Sequence, residues 1–136
     1  ESATGKLVLG CPRTVITDRV REIGNSAFAR IPLPHCMKIP EGVETIADGA
    51  FAQCANMEML VLPKSLRKIG SRSFWCCMDL QTVMANSPEL YIGDNAFSYI
   101  PNLYVVDLPQ NVTFESNMVF YGSPFQKVYE QMYEKQ

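Results

Sequence analysis

Phenylalanine recurs in this chain of 136 residues at a strict interval of 23. The five repeated residues are Phe28, Phe51, Phe74, Phe97 and Phe120. Such a period is typical of a solenoid, in which each row of residues is one turn and buries its apolar face only against the neighbouring rows. Stacked phenylalanine rings are then predicted to form a continuous ladder through the core.

Other apolar residues keep the same period, which excludes a chance repeat of one residue type. One column contains Ile23, Ile46, Ile69 and Ile92, and Glu115 interrupts it in the last row. Another column contains Met37, Leu60, Val83 and Val106. Small residues precede four of the phenylalanines, where they allow neighbouring backbones to approach: Ala27, Ala50, Ser73 and Ala96.

Each row is predicted to contain two short extended segments and a tight turn. The segments 57–63 and 103–109 alternate and are rich in residues that favour strands. A second segment is predicted at 43–46, and 49–54 reads as a tight turn or one helical turn. Equivalent strands would stack in parallel about 4.8 Å apart. The predicted fold is a right-handed, mostly β solenoid with short helical turns and about five stacked rows.

The whole chain, 1–136, is predicted to form one domain with atypical ends. Residues 1–19 read as a partial N-terminal row, with Ile16 in the column of Ile39, and residues 20–120 as the regular repeats. Residues 121–136 read as a C-terminal cap or tail, in which the register slips by about one residue. We expect three apolar residues to cover the open end: Phe125, Val128 and Met132.

Composition excludes several classes of function. Hydrophobic residues make up 47% of the chain and charged residues 19%, a balance typical of globular proteins. The net charge of −2 leaves no basic stripe for nucleic acid, and no apolar run is long enough to insert into a membrane. Because the chain begins with Glu1 rather than Met, we expect a removed leader or a piece of a longer protein.

The chain has five cysteines, an odd number that leaves at least one thiol unpaired. No CxxC pair is present, and the neighbours Cys76 and Cys77 could bridge each other only under strain. We expect most of the five to be buried, reduced and packed as small apolar residues, with a bridging pair and then a metal site as the less favoured alternatives.

The row pattern resembles a known family. A strand ending in Pro is followed by Val-x-x-Ile-Gly-x-x-Ala-Phe-x-x-Cys, as in "IPEGVETIADGAFAQC" (39–54) and "LPKSLRKIGSRSFWCC" (62–77). This pattern is similar to the BspA-type leucine-rich repeat and extends over about residues 7–129. The resemblance implies a solenoid of bacterial cell-surface or secreted proteins, some of which are adhesins for host matrix or plasma proteins. The residues carried over from the motif are structural and do not identify a ligand.

A candidate partner-binding surface lies on the outward side of the first strand of each row. Its apolar members are Met59, Val61, Met84, Tyr104 and Val105. A solvated strand face more often carries Lys, Glu, Thr and Ser, and an exposed apolar patch often marks a contact site. Two alternatives stay open: these residues contact another domain or a second copy of the chain, or the register is misread by one and they are core.

Catalysis finds little support in the sequence, so no catalytic, cofactor-binding or metal-binding residues are predicted. His35 is the only histidine, and no nucleophile, base and orienting group can be assembled around it. There is no P-loop, GxGxxG or zinc-ligand spacing. Two interpretations of Trp75 stay open: its large side chain contacts a partner, or, as the sequence favours, it is a half-buried turn residue.

The predicted function is a non-enzymatic module that binds protein, or mediates adhesion, at a bacterial cell surface or after secretion. The alternative is a structural spacer of a longer surface protein, without a ligand of its own.

Overall fold

The computed structural model describes residues 5–134, in which parallel strands stack row upon row on two sides of a common core. One sheet consists of β1 (Lys6–Leu7), β2 (Glu22–Ile23), β4 (Thr45–Ile46), β6 (Lys68–Ile69), β8 (Glu89–Ile92) and β10 (Asn111–Phe114), hydrogen-bonded in that order. The other consists of β3 (Cys36–Lys38), β5 (Met59–Leu62), β7 (Thr82–Ala85) and β9 (Val105–Asp107). A short helix, α1 (Gln126–Tyr129), and a π-helical turn (Glu130–Glu134) follow the last strand.

The strand register repeats the period of the sequence. Met59 pairs with Cys36 on one side and with Thr82 on the other, and Ile46 pairs in the same way with Ile23 and Ile69. These partners are 23 residues apart, so the parallel rows follow directly from the repeat. The predicted mostly β solenoid of stacked 23-residue rows is confirmed.

The five repeated phenylalanines stack as a ladder through the core. Successive ring centroids lie 5.1, 5.2, 5.2 and 5.7 Å apart, and neighbouring planes differ by at most 13°. All five side chains are fully buried. Parallel stacking at this distance follows from the row spacing of the strands, because each ring is attached to an equivalent backbone position.

The phenylalanine-bearing turns also hydrogen-bond from row to row. The backbone N–H of Phe28 donates to the carbonyl of Ala50 at 2.7 Å, and Phe74 donates to Ala96 at 2.9 Å. Two positions of each of the first four turns have left-handed backbone, as at Gln53 (φ 58°). In the next row Arg72 and Cys76 have φ values of 56° and 57°. This conformation is unfavourable for residues with a side chain, and the inter-row hydrogen bonds hold it in place.

Buried thiol and hydroxyl groups donate hydrogen bonds to the carbonyls of this turn. Cys54 Sγ donates to Phe28 O at 2.9 Å, and Cys77 Sγ donates to Phe51 O at 3.1 Å. Ser123, three rows after Cys54 in the same column, donates to Phe97 O at 2.7 Å. The cysteine of the repeat motif is therefore a small hydrogen-bond donor that satisfies a buried backbone carbonyl.

All five cysteines are free thiols, but the expectation that most are buried is wrong. Cys54 and Cys77 are buried, Cys76 is half-buried, and Cys11 and Cys36 are exposed. Cys11 lies in an irregular segment of the first row, and Cys36 faces outward from the edge strand β3. Neither of these two positions is the motif cysteine, whose side chain faces the core.

The N-terminal row is shorter than the sequence indicates. Lys6 pairs with Glu22, an offset of 16 rather than 23, so β1 completes the six-stranded sheet with fewer residues. Ile16 is not in a strand and only half-buries its side chain against the core. Ile39 itself lies directly after β3 and not in a strand, so the expectation that Ile16 shares its column stays a prediction. Residues 1–4 of this partial row lie outside the described residues.

The register slips by one residue before β10. Asn111 pairs with Glu89 and Phe114 with Ile92, offsets of 22. Phe114, rather than Glu115, therefore continues the isoleucine column, and the period of 23 returns at Phe120. The structure therefore has a slip before β10 that the sequence did not indicate, and the slip expected after Phe120 stays a prediction.

Aromatic residues close the C-terminal end of the core. Phe125 and Tyr129 are buried, and their ring centroids lie 4.8 and 5.7 Å from that of Phe120. Val128 and Met132, which were also expected to cover this end, are 38% and 52% exposed. Residues 135 and 136 of the predicted cap lie outside the described residues.

Candidate binding face

The outward side of the four-stranded sheet carries the five apolar residues predicted to bind a partner. Strand alternation places four of them there, as in β5, where Leu60 and Leu62 point into the core and Met59 and Val61 point out. The fifth, Tyr104, lies directly before β9. In β7, Val83 is fully buried in the core while its neighbours on either side face the opposite way. The alternative register, in which the five residues form the core, is not the one that the structure has.

Exposure of these side chains increases towards the C-terminal rows. Met59 and Met84 are 37% and 38% exposed, Val105 is 54% exposed and Tyr104 is 65% exposed. Val61 is half-buried between Lys38 and Met84, its partners in the neighbouring strands. The five residues lie in three successive rows, so the sheet brings them together as one patch, which we call the strand face.

Polar groups border the strand face at both ends of the sheet. At the N-terminal end of the sheet His35 lies beside Glu58 of the next row, with 3.8 Å between Nδ1 and Oε2, and Lys38 is exposed in β3. In the last row Asp107 is exposed in β9. An apolar centre with a polar, solvated border is the usual composition of a protein-binding surface.

Features of catalysis or metal binding do not accompany the strand face. The His35 ring approaches the carbonyl of Asn56 at 3.1 Å, and both His35 and Glu58 are exposed to solvent. Within residues 5–134, no group of three or more His, Cys, Asp or Glu side chains could hold a metal ion. No helix in that range is long and apolar enough to cross a membrane.

A second apolar surface, which sequence reasoning missed, lies on the turn side of the last three rows. It is a shallow cleft of about 540 Å³ lined by Trp75, Cys76, Met78, Tyr99, Pro101 and Gly122. Trp75 is half-buried, as expected from the sequence, whereas Met78 and Tyr99 are exposed. We call this surface the aromatic cleft.

The rings of the aromatic cleft are arranged edge to face. The centroids of Trp75 and Tyr99 lie 6.3 Å apart with planes at 85°, and those of Tyr99 and Tyr121 lie 5.6 Å apart at 83°. The signal in the sequence was the departure of these rows from the repeat. Earlier rows have Ala52 where Trp75 stands and Gln53 where Cys76 stands.

Comparison with known proteins identifies the repeat. A family model described as the BspA type leucine rich repeat region matches residues 13–131 in six copies. A crystal structure of the pneumococcal vaccine antigen PcpA is similar to this chain, with a TM-score of 0.61 and 26% sequence identity. The similarity covers 76% of this chain and 34% of PcpA, so the chain spans about a third of the length of that antigen. No curated protein matches the chain.

Proposed function

The chain belongs to the BspA-type leucine-rich repeat family, and from this premise we propose that it is a non-enzymatic module that binds a protein partner through its strand face. We further propose that it acts at a bacterial cell surface or after secretion, with a host matrix or plasma protein as the partner. Similarity to a pneumococcal vaccine antigen supports this setting.

The exposed apolar centre of the strand face carries the proposal. Met59, Met84 and Val105 lie on neighbouring strands of one rigid sheet, and Tyr104 adds a large, exposed aromatic side chain at its margin. Methionine adapts its shape to a partner, and tyrosine supplies both apolar area and a hydroxyl group. Contact energies at such patches concentrate in a few central residues.

Stacking does not require these residues to be apolar. Thr82 occupies the position between Met59 and Val105 in the sheet, and Lys38 and Asp107 share a column with Val61 and Met84. Polar residues therefore fit the same backbone positions. The apolar character of the middle rows supports a contact surface rather than a requirement of the fold.

The experiment is binding of the purified chain to an immobilised panel of matrix and plasma proteins at physiological salt. We expect saturable binding to at least one of them, and its loss in the Met59→Glu/Met84→Glu double variant. Two carboxylates would be desolvated without a partner at the centre of the contact. Circular dichroism and urea unfolding would show that the variant keeps its fold.

A matched control places the same charges elsewhere. In the Met118→Glu/Met132→Glu variant, methionines that are 38% and 52% exposed change to glutamate at the C-terminal end. This variant should bind as the parent chain does. Equal loss in both variants would indicate a nonspecific effect of charge, and no binding by the parent chain would favour the spacer function.

A further inference from the structure

The aromatic cleft is not part of the repeating architecture. Its column of left-handed backbone contains Arg30, Gln53, Cys76 and Tyr99, with φ values between 57° and 64°. The backbone thus takes the same conformation in each row whichever side chain it carries, and that conformation directs the side chain outward. Stacking of the rows does not explain why the later rows place Tyr99 in this column, or Trp75 and Tyr121 in the column before it.

The charge of the aromatic cleft selects a neutral occupant. None of the six lining residues carries a formal charge at neutral pH. A charged ligand would lose hydration on entering without gaining a counter-charge. An apolar, uncharged segment is the electrostatic complement of such a surface.

Hydrogen-bond donors at the cleft indicate that the bound segment should carry free acceptor groups. Tyr99 and Tyr121 are each 46% exposed and Trp75 is half-buried; within residues 5–134, neither the two hydroxyls nor the indole N–H forms a hydrogen bond with another protein group. A polyproline II helix has no internal hydrogen bonds, so its carbonyl groups are free to accept from such donors. Aromatic-lined grooves that present these donors are a recurring mode of recognition of proline-rich segments.

The spacing of the rings also fits that conformation. Trp75, Tyr99 and Tyr121 belong to successive rows, and their centroids are separated by 6.3 and 5.6 Å. Two row steps span about 10 Å at the strand spacing. A turn of polyproline II, three residues with a rise of 3.1 Å each, spans about 9 Å. Residues one turn apart in the peptide would therefore meet equivalent positions two rows apart.

We propose that the aromatic cleft, together with Tyr121, whose ring packs edge to face against Tyr99, binds an extended proline-rich peptide in the polyproline II conformation. This site lies on the turn side of the rows and is separate from the strand face. The proposal therefore goes beyond the proposed function and can hold or fail independently of it.

The experiment uses the fluorescence of Trp75, the only tryptophan in the chain, during titration with a proline decamer. We expect a saturable change with that peptide and none with a Gly-Ser decamer of equal length, which is flexible and lacks the preformed helix. The Tyr99→Gly variant removes a ring but keeps the left-handed backbone, as Gly122 does one row later. It should weaken binding about tenfold or more, as loss of a central aromatic contact does.

A second variant and a third probe make the test decisive. Tyr121→Ala should also weaken binding, whereas the Met59→Glu/Met84→Glu variant of the strand face should bind the proline decamer as the parent chain does. The proposal is overturned if the proline decamer gives no saturable change, or if the Gly-Ser decamer gives an equal one. Saturation by tetramethylammonium without a response to the proline decamer would also overturn it, and would indicate a cation-binding cage.

Discussion

The buried side of each turn repeats the same residue from row to row, whereas the exposed side changes its residue in every row. Inside, the phenylalanine column is unbroken over five rows, and each ring stacks on one of its own kind. Outside, two residues further along each turn, the column reads Arg30, Gln53, Cys76, Tyr99 and Gly122. The backbone conformation of this outer column is nevertheless the same from row to row.

This difference shows which interactions set the repeat. An inner residue is constrained by the equivalent residue above and below it, because close-packed rings of the same shape leave no void. An outer residue meets solvent on one side, so its identity can change without cost to the stack. The repetition of one side chain in the inner column is therefore a requirement of the fold. The outer residues can differ from row to row, so they can form binding surfaces such as the strand face and the aromatic cleft.

Removing an inner ring should have the largest effect on stability. Phe74 stacks on Phe51 and Phe97 at 5.2 Å on each side, and its replacement would leave a cavity between two rings. We expect Phe74→Ala to lower the free energy of unfolding by about 3–5 kcal/mol. The outer variant Tyr104→Ala, at a 65% exposed position, should change it by less than about 0.5 kcal/mol.

Urea unfolding of the two variants beside the parent chain measures this contrast. Phe74→Leu serves as an intermediate because it keeps an apolar side chain in the stack, and it should cost less than alanine. Similar losses for Phe74→Ala and Tyr104→Ala would show that buried positions of the stack and exposed positions outside it do not differ in their constraint.

Disrupting a close backbone contact between rows should have the second largest effect on stability. A Cβ on Gly93 would lie 2.7 Å from Ser71 N and 2.8 Å from the carbonyl carbon of Gly70, both backbone atoms of the preceding row. Gly93→Ala must therefore shift the backbone of one of the two rows, and we expect a loss of about 1–3 kcal/mol.

The reverse change in the same column is the control for that contact. Ala47→Gly should cost only about 0.5–1 kcal/mol, the loss expected from added backbone freedom. If thermal unfolding ranks Ala47→Gly as the more damaging variant, contact between backbones does not limit the row spacing.

Removing the thiol of the repeat motif should lower the free energy of unfolding by a smaller amount. Phe51 O accepts a hydrogen bond from Cys77 Sγ at 3.1 Å and another from Cys54 N at 3.3 Å. Cys77→Ala removes one of these two bonds and should cost about 0.5–1.5 kcal/mol. Cys77→Ser keeps a donor, as Ser123 does in its own row, and should cost less. A larger loss for serine than for alanine in urea unfolding would show that the apolar character of sulfur matters more than its hydrogen bond.

The regular rows could be predicted from the sequence because their residues are determined by neighbours 23 positions away. Ile46 and Leu60 face the core for the same reason as Ile69 and Val83, so one row predicts the next. The same alternation predicted the outward side chains of the strand face. A solenoid is unusual in this respect, since contacts distant along the chain still recur at a fixed offset.

The ends and the aromatic cleft could not be predicted in that way because they break the offset. Nothing in residues 5–22 indicates that β1 pairs across 16 residues. At the other end, one residue is omitted before β10, which brings Phe114 under Ile92 and against Tyr129, 5.0 Å between ring centroids. The aromatic cleft depends on contacts between side chains of different columns, such as Trp75 and Tyr99, which a column-by-column comparison does not show.

The smallest expected effect concerns the reactivity of an outer and an inner thiol. Thr14 Oγ1 donates a hydrogen bond to Cys11 Sγ at 3.3 Å, and this hydroxyl is the main cause that lowers the pKa of the exposed Cys11. Cys77 is fully buried, and its hydrogen bond with Cys54, together with burial, raises its pKa well above the usual value. Because the thiolate is the nucleophile, Cys11 should be alkylated at a lower pH than an ordinary thiol, and Cys77 should stay unmodified in the folded chain.

Mass spectrometry after brief exposure to iodoacetamide across a pH series measures both thiols at once. Thr14→Val removes the hydroxyl that stabilises the thiolate, so it should move the alkylation profile of Cys11 to higher pH and leave that of Cys77 unchanged. In urea above the unfolding midpoint the two thiols should react alike, since both differences depend on the folded state. Modification of Cys77 before Cys11 in the folded chain would contradict the burial of the motif cysteine, and with it the division between inner and outer columns.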